Sequence, residues 1–138
     1  MIYLDTGLVI YAAERDPVFG DAVIAALSSE PDTGFAISPL VKLECLVKPI
    51  RSGDVVLRRY YEKVFGKFVE LTLPDAVFLQ AAELRARFNL RTPDALHLAC
   101  AQHHGCEALW TNDDRLAQAG HGLARNVLKS FPIPDSSS

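Results

Sequence analysis

The sequence predicts an α/β fold in three layers, α/β/α, with helices on both faces of a mainly parallel central sheet. Two observations carry the fold class. Short apolar runs that suit strands alternate with longer stretches of helical periodicity, and parallel strands need such crossover helices between them. Several of the short runs are followed at once by an acid or a hydroxyl residue, as at Asp5, Ser38 and Thr111 to Asp113. In a parallel sheet the strand C-termini share one edge, and ligands bind there.

The elements follow in order. Residues 1–5, Met-Ile-Tyr-Leu-Asp, read as a short buried strand ending on an acid. Thr6 to Glu14 reads as a helix entered directly from it. Asp16 is expected to cap a second helix, with Pro17 at its first position and Val18, Ala22, Ala25 and Ala26 on one face through Leu27. Ser28 to Gly34 is a polar loop. Phe35-Ala36-Ile37 is a three-residue strand, and Ser38-Pro39 starts a helix. That helix carries Leu40, Leu43, Val47 and Ile50 on one stripe expected to be buried, with Glu44 bordering it. Pro49 is expected to end or kink it. Ser52-Gly53-Asp54 starts a further helix to about Phe65, and Phe68 to Leu73 reads as a strand. Pro74-Asp75 opens a helix to about Phe88. Thr92 is expected to cap a helix from Pro93 to His104, with Gly105 past its end. Ala108 to Thr111 reads as a strand, Asp113 to Ala119 as a short helix, and Asn126 to Leu128 as an edge strand.

The chain of 138 residues is read as one domain over 1–131, followed by a polar tail, 132–138, expected to be disordered. No apolar run approaches the ~20 residues of a membrane span, and the N-terminus lacks a basic stretch followed by an apolar core. A cytoplasmic location is expected. Cys45, Cys100 and Cys106 are an odd set, which suits reduced thiols better than a disulfide framework. A net charge of −3 argues against a general polyanion-binding surface, although an acidic metal site would account for part of that charge.

Asp94 is the most informative candidate, because Thr92-Pro93 locks it into the first turn of a helix. Asp5, Glu44 and Asp113 are its counterparts. Each acid alone has an ordinary structural reading. Asp5 and Asp113 could cap the helices that follow them, and Asp94 could face a positive helix N-terminus. Their predicted gathering at one sheet edge weakens those readings taken together. Carboxylates there are costly unless something positive sits among them, and a divalent cation is the simplest candidate.

Other constellations carry less. Asp5-Thr6-Gly7 spells the aspartic-protease triplet, but that chemistry needs a second carboxylate in a mainly β fold. Cys100, His103, His104 and Cys106 match no strong zinc spacing. His97 shares a helix side with Asp94; a buried, hydrogen-bonded core histidine is the favoured reading over contact with substrate. Arg85, Arg87 and Arg91 precede the Asp94 helix, and Arg91 lies nearest the expected site. Arg51, Arg58, Arg59 and Lys63 form a second basic group, read by default as a solvated face. Tyr60, Tyr61, Val64 and Phe65 fit either the core or an interface.

Ile-Tyr-Leu-Asp-Thr at 2–6, Glu44, Thr-Pro-Asp-Ala-Leu-His-Leu-Ala at 92–99 and Leu-Trp-Thr-Asn-Asp at 109–113 together resemble the PIN-domain nucleases. Among these they resemble the VapC toxins of toxin–antitoxin pairs. The likeness runs from Met1 to about Leu128. It implies a metal-dependent endoribonuclease whose Asp5, Glu44, Asp94 and Asp113 bind Mg²⁺ or Mn²⁺. It places Thr111 at a hydroxyl position just before the last acid. It also implies an RNA substrate, a cognate antitoxin that blocks the acidic cleft, and a homodimer. All-oxygen ligation suits Mg²⁺, which keeps several waters and leaves room for phosphate. Crowded carboxylates without metal are expected to show some raised pKa values. One departure stands out. Relatives usually carry Asn or Ser two residues after the first acid, where this chain has Gly7, so a polar contact is either missing or supplied by Thr6. An RNA-processing nuclease without an antitoxin, and a catalytically silent module that binds RNA or protein, are the alternatives.

Overall fold

The computed structural model describes residues 1–29 and 34–128. The expected polar tail at 132–138, the end of the expected domain and part of the 28–34 loop lie outside them. Five strands form one sheet: β1 (Ile2–Leu4), β2 (Phe35–Ile37), β3 (Val69–Glu70), β4 (Ala108–Thr111) and β5 (Ala124–Asn126). Their spatial order is β3-β2-β1-β4-β5, and every neighbouring pair is parallel. The chain builds outward from β1 to β3, then returns to the other side of β1 with β4. The order therefore reverses between β1 and β4, and a parallel sheet opens a crevice beyond the strand ends at such a point.

Central strands in this arrangement are covered on both faces, so they read as apolar runs rather than alternating ones. All three residues of β1 and all four of β4 are buried. Among the described residues seven helices supply the cover: α1 (Thr6–Ala13), α2 (Gly20–Ser28), α3 (Pro39–Ser52), α4 (Val55–Phe65), α5 (Asp75–Phe88), α6 (Thr92–His103) and α7 (Asp114–Ala119). Residues 95–101 of α6 are all buried, which marks it as the central helix of the domain. Tyr3, Leu4, Leu8, Val41, Leu98 and Leu109 are at most 1% exposed and form the middle of the core. Among the described residues no helix is long and apolar enough to cross a membrane.

Several expected details are corrected. The stripe Leu43, Val47 and Ile50 on α3 does not face the core; these residues are 60%, 41% and 53% exposed. The buried residues of α3 are Val41, Cys45 and Pro49, spaced i, i+4, i+8. The helix carries two apolar stripes, and periodicity alone does not say which one packs. Pro49 does not end α3. Its ring is buried one turn before the end, and the stop is Gly53 in the left-handed region at φ +70°. There the Gly53 and Asp54 amides close on the carbonyls of Ile50 and Pro49 at 3.2 and 2.9 Å, a glycine-based helix stop.

Asp16 takes the amides of Val18 and Phe19 at 3.0 and 2.9 Å, so residues 17–19 form a turn and α2 starts only at Gly20. Thr92 does not cap α6; Arg91 holds the cap position without a side-chain capping bond, and Thr92 is already helical. The strand expected at 68–73 is reduced to Val69–Glu70, an exposed edge strand that Pro74 and α5 cut short. The last strand lies at Ala124–Asn126 rather than 126–128, because Leu109 pairs with Ala124. Cys45, Cys100 and Cys106 are buried free thiols. Tyr61 and Phe65 belong to the core, and the Tyr61 hydroxyl donates to Glu14, while Tyr60 stays 45% exposed.

Candidate active site

At the crevice beyond β1 and β4, a cleft of about 360 Å³ is lined by Asp5, Thr6, Gly7, Ile10, Glu44, Arg91, Asp94, His97, Asn112 and Asp113. All four expected acids line it. Asp5 is the residue after β1 and holds the cap position of α1. Its backbone amide donates to the Trp110 carbonyl at 2.9 Å, which ties the two strand ends together. Asp113 caps α7 through the Arg115 amide at 2.8 Å. Asp94 sits in the first turn of α6, and Glu44 lies on α3 beside the buried Cys45. A larger hollow of about 870 Å³ runs along α5 past Leu79, Glu83, Arg87 and His121. None of the four acids lines it.

Each acid is held by a specific partner. The Thr111 hydroxyl donates to Asp5 Oδ2 at 2.6 Å and accepts the Asp113 amide at 3.0 Å. The Thr6 hydroxyl donates to Glu44 Oε1 at 2.6 Å, and His97 Nε2 lies 2.9 Å from the same oxygen. His97 Nε2 is also 3.7 Å from Asp5 Oδ1. The Arg91 guanidinium spans the other two acids, with Nε 3.1 Å from Asp94 Oδ2 and Nη2 3.7 Å from Asp113 Oδ2. Arg91 and His97 thus stand among the carboxylates. Among the described residues no three His, Cys, Asp or Glu side chains close in tightly enough to ligate one ion together.

The two helix acids respond in opposite directions. Burial pushes both carboxyls up. For Glu44 the hydrogen bonds from His97 and Thr6 and the charge of Arg91 outweigh burial, and its pKa falls below the ordinary value. For Asp94 burial wins over Arg91, with Asp5 and Asp113 adding repulsion, and its pKa is raised. Burial is the larger cause of the raised value, with the neighbouring acids a smaller one.

The donor set suits a hard divalent cation: four carboxylates with oxygen ligands only, on an open cleft. Mg²⁺ is commonly held by one or two carboxylates with the rest of its shell water, so four acids spread over one cleft fit it without a closed cage. The Cys100 and His103–Cys106 group offers less. Cys100 is fully buried in the core, and a His104 ring nitrogen is already 2.8 Å from the Thr72 carbonyl.

Three polar residues at the site were not named as site candidates from sequence. The sequence favours a core role for His97. It is 1% exposed, and it also lines the cleft and bonds Glu44. Tyr3 stands behind it, its hydroxyl 2.7 Å from both His97 Nδ1 and Ser38 Oγ. Asn112 fills the space beside Gly7. A Cβ at Gly7 would lie 2.4 Å from Asn112 Oδ1, so the missing side chain at residue 7 makes room for a polar one from β4's end. Thr6, the substitute considered from sequence, is committed to Glu44. The signal for Asn112 was its place between Thr111 and Asp113.

The PIN domain family model matches residues 2–122. No curated protein matches the sequence. A toxin–antitoxin complex from Klebsiella pneumoniae contains a chain 21% identical, with a TM-score of 0.76, covering 91% of this chain and 97% of that one. VapBC2 from Rickettsia felis, bound to a DNA fragment from its promoter, gives 18% identity and a TM-score of 0.76 over 91% and 98% of the two chains. VapC20 from Mycobacterium tuberculosis, a sarcin–ricin loop cleaving toxin, gives 16% identity and 0.72 over 87% and 95%. At these identities the likeness establishes a common fold.

Proposed function

The chain belongs to the PIN domain family, and from that premise we propose that it is a metal-dependent endoribonuclease, the toxin of a toxin–antitoxin pair. The observation that carries the reading is the lining of one cleft by Asp5, Glu44, Asp94 and Asp113, at the point where the strand order reverses. Mg²⁺ or Mn²⁺ is the proposed cofactor, with Asp5 and Asp94 as its main ligands and Glu44 and Asp113 completing the acidic set. When bound, such an ion lowers the pKa of its water and neutralises charge developing on a phosphate.

The chain's own residues hold that arrangement in place. Thr111 aims Asp5 and ties down the Asp113 backbone. Thr6 aims Glu44. Arg91 sits 74% exposed at the mouth, where it can exchange its contacts to Asp94 and Asp113 for a phosphate of the RNA backbone. Arg is well matched to that task by its planar fork of donors.

A protein antitoxin is the proposed partner, in keeping with the solved relatives that are toxin–antitoxin complexes. A homodimer and a cytoplasmic site of action complete the proposal. The test is cleavage of total RNA with Mg²⁺ or Mn²⁺ present, wild type against Asp94→Asn, with cut sites mapped. Cleavage by wild type and none by the folded variant is expected. Full cleavage by the variant would refute the assignment. A folded, metal-bound wild type that cuts no RNA would favour a silent binding module.

A further inference from the structure

We infer that His97 is a positioning residue for Glu44: Glu44 keeps the ring's hydrogen on Nε2, while Tyr3 donates to Nδ1 and holds the ring in its orientation. The inference rests on reading Glu44 as part of the cleavage site. Four elements meet at this ring: Tyr3 from β1, Thr6 from α1, Glu44 from α3 and His97 from α6. Ser38, between β2 and α3, stands behind Tyr3. His97, Tyr3 and Ser38 are at most 1% exposed, so their polar hydrogens must be placed within the protein.

The hydrogens can be assigned one by one. A glutamate carboxylate is ionised at neutral pH. It only accepts, so His97 Nε2, 2.9 Å from Glu44 Oε1, must carry a hydrogen. The Thr6 hydroxyl spends its one hydrogen on the same Glu44 oxygen, leaving a lone pair toward Nε2 at 3.2 Å. On the far side of the ring, Nδ1 faces the Tyr3 hydroxyl at 2.7 Å. Tyr3 is a phenol at neutral pH, with one hydrogen to give. Ser38 Oγ lies 2.7 Å from the Tyr3 oxygen. One direction satisfies every group: Ser38 donates to Tyr3, Tyr3 donates to Nδ1, and Nε2–H donates to Glu44. Reversed, the Ser38 hydroxyl would have to find another acceptor for its hydrogen in a site where it is fully buried. The ring is thus held in one tautomer and one orientation, with its donor aimed at Glu44.

A histidine kept only for packing would not need this order. Partners behind a ligating carboxylate set its direction and are worth a large share of metal affinity. Glu44 Oε1 thus accepts from both His97 and Thr6, while its other oxygen accepts no hydrogen bond from the described residues.

The test uses the full chain with ¹⁵N-labelled histidine and Mn²⁺ alone as the probe. Two-bond ¹H–¹⁵N correlation is expected to show the His97 hydrogen on Nε2 and Nδ1 as a bare acceptor; a hydrogen on Nδ1 overturns the assignment. Two variants separate positioning from packing. His97→Gln keeps an N–H at the place of Nε2, whereas His97→Leu keeps bulk and removes the donor. Mn²⁺ affinity is expected to stay within about threefold for Gln and to fall about 10–100-fold for a folded Leu variant. A core role predicts the reverse order, and either that order or equal losses overturns the inference. Should the Leu variant fail to fold, a Gln variant that binds as wild type supports the role, and one that loses Mn²⁺ affinity about 10–100-fold overturns it. Tyr3→Phe, which keeps the ring and removes only the hydroxyl, leaves the hydrogen on Nε2 and is expected to shift the Nδ1 resonance as it loses its donor; an unchanged Nδ1 resonance overturns Tyr3's part. Failure of the metal reading shows differently, as wild-type protein that binds no Mn²⁺ while its ring still carries the hydrogen on Nε2.

Discussion

Replacing Thr111 with valine removes one hydroxyl and keeps the shape of the side chain. That hydroxyl makes two bonds at the site: it donates to Asp5 Oδ2 at 2.6 Å and accepts the Asp113 amide at 3.0 Å. Thr111 is fully buried and Asp5 is 7% exposed, so water cannot easily take over either bond. A hydrogen bond to a charged group contributes about 1.5–3 kcal/mol, and an unpaired buried amide costs about 1–3 kcal/mol. Asp113 is 27% exposed at its side chain, which lets its neighbourhood relax, so the two losses do not add in full. The net expectation is about 2–4 kcal/mol. For a domain of this size that corresponds to a fall in Tm of roughly 7–14 °C. Thr111→Ser keeps the hydroxyl and loses a buried methyl, which costs about 1 kcal/mol. Thermal denaturation of the metal-free protein, followed by circular dichroism, reads all three chains. The account requires the order wild type, then Ser, then Val. A valine variant that melts with or above the serine variant would show that the hydroxyl holds neither acid.

Three further outcomes follow from the same geometry. Asp94 has a raised folded pKa, so its contribution to stability is full below the ordinary Asp value and is lost as pH rises through the raised one. Metal-free Asp94→Asn is therefore expected to gain on wild type as pH rises from 3 toward about 7; a constant gap in Tm across that range contradicts the burial argument. Gly7→Asn places a Cβ 2.4 Å from Asn112 Oδ1 and must push the flexible Asn112 side chain aside. The variant is expected to fold with a lower Tm, and adding Asn112→Ala is expected to restore it; a double variant no better than the single one refutes the proposed exchange of space. Arg91→Gln is expected to weaken RNA binding across sequences and to reduce the salt slope by about one. An unchanged slope would confine Arg91 to its contacts with Asp94 and Asp113.

The fold was legible wherever one physical rule acted alone. The apolar runs at Ile2–Leu4, Phe35–Ile37 and Ala108–Thr111 could only be buried strands, and Pro and Asp at 74–75 and 93–94 marked helix starts. Legibility failed where two solutions satisfied the same pattern. α3 offers two apolar stripes of helical spacing, and the one expected in the core, Leu43, Val47 and Ile50, faces solvent. Thr92 and Ser38 are residue types that cap helices, yet neither side chain caps. The Ser38 hydroxyl turns to Tyr3 instead, a contact across 35 residues of sequence that no local rule contains.

Within the site, the acids could be named because carboxylates in apolar surroundings need a reason. The residues that hold them were harder to see. A histidine between two leucines looks like core by composition, and His97 is in fact buried; only the fold reveals that its two nitrogens face Tyr3 and Glu44. Gly7 reads in the sequence as a lost side chain, and Asn112 occupies the space it leaves. In each case the missing information was a long-range juxtaposition, which the parallel sheet creates by bringing the ends of β1 and β4 side by side.

The central claim is that these separated acids share one hard cation. Diffraction from crystals grown with Mn²⁺, with data collected at the manganese absorption edge, tests it most directly. The account predicts an anomalous peak in the cleft, in contact with Asp5 and Asp94. A map with no peak there at saturating Mn²⁺, or with the ion bound on another face, would contradict it.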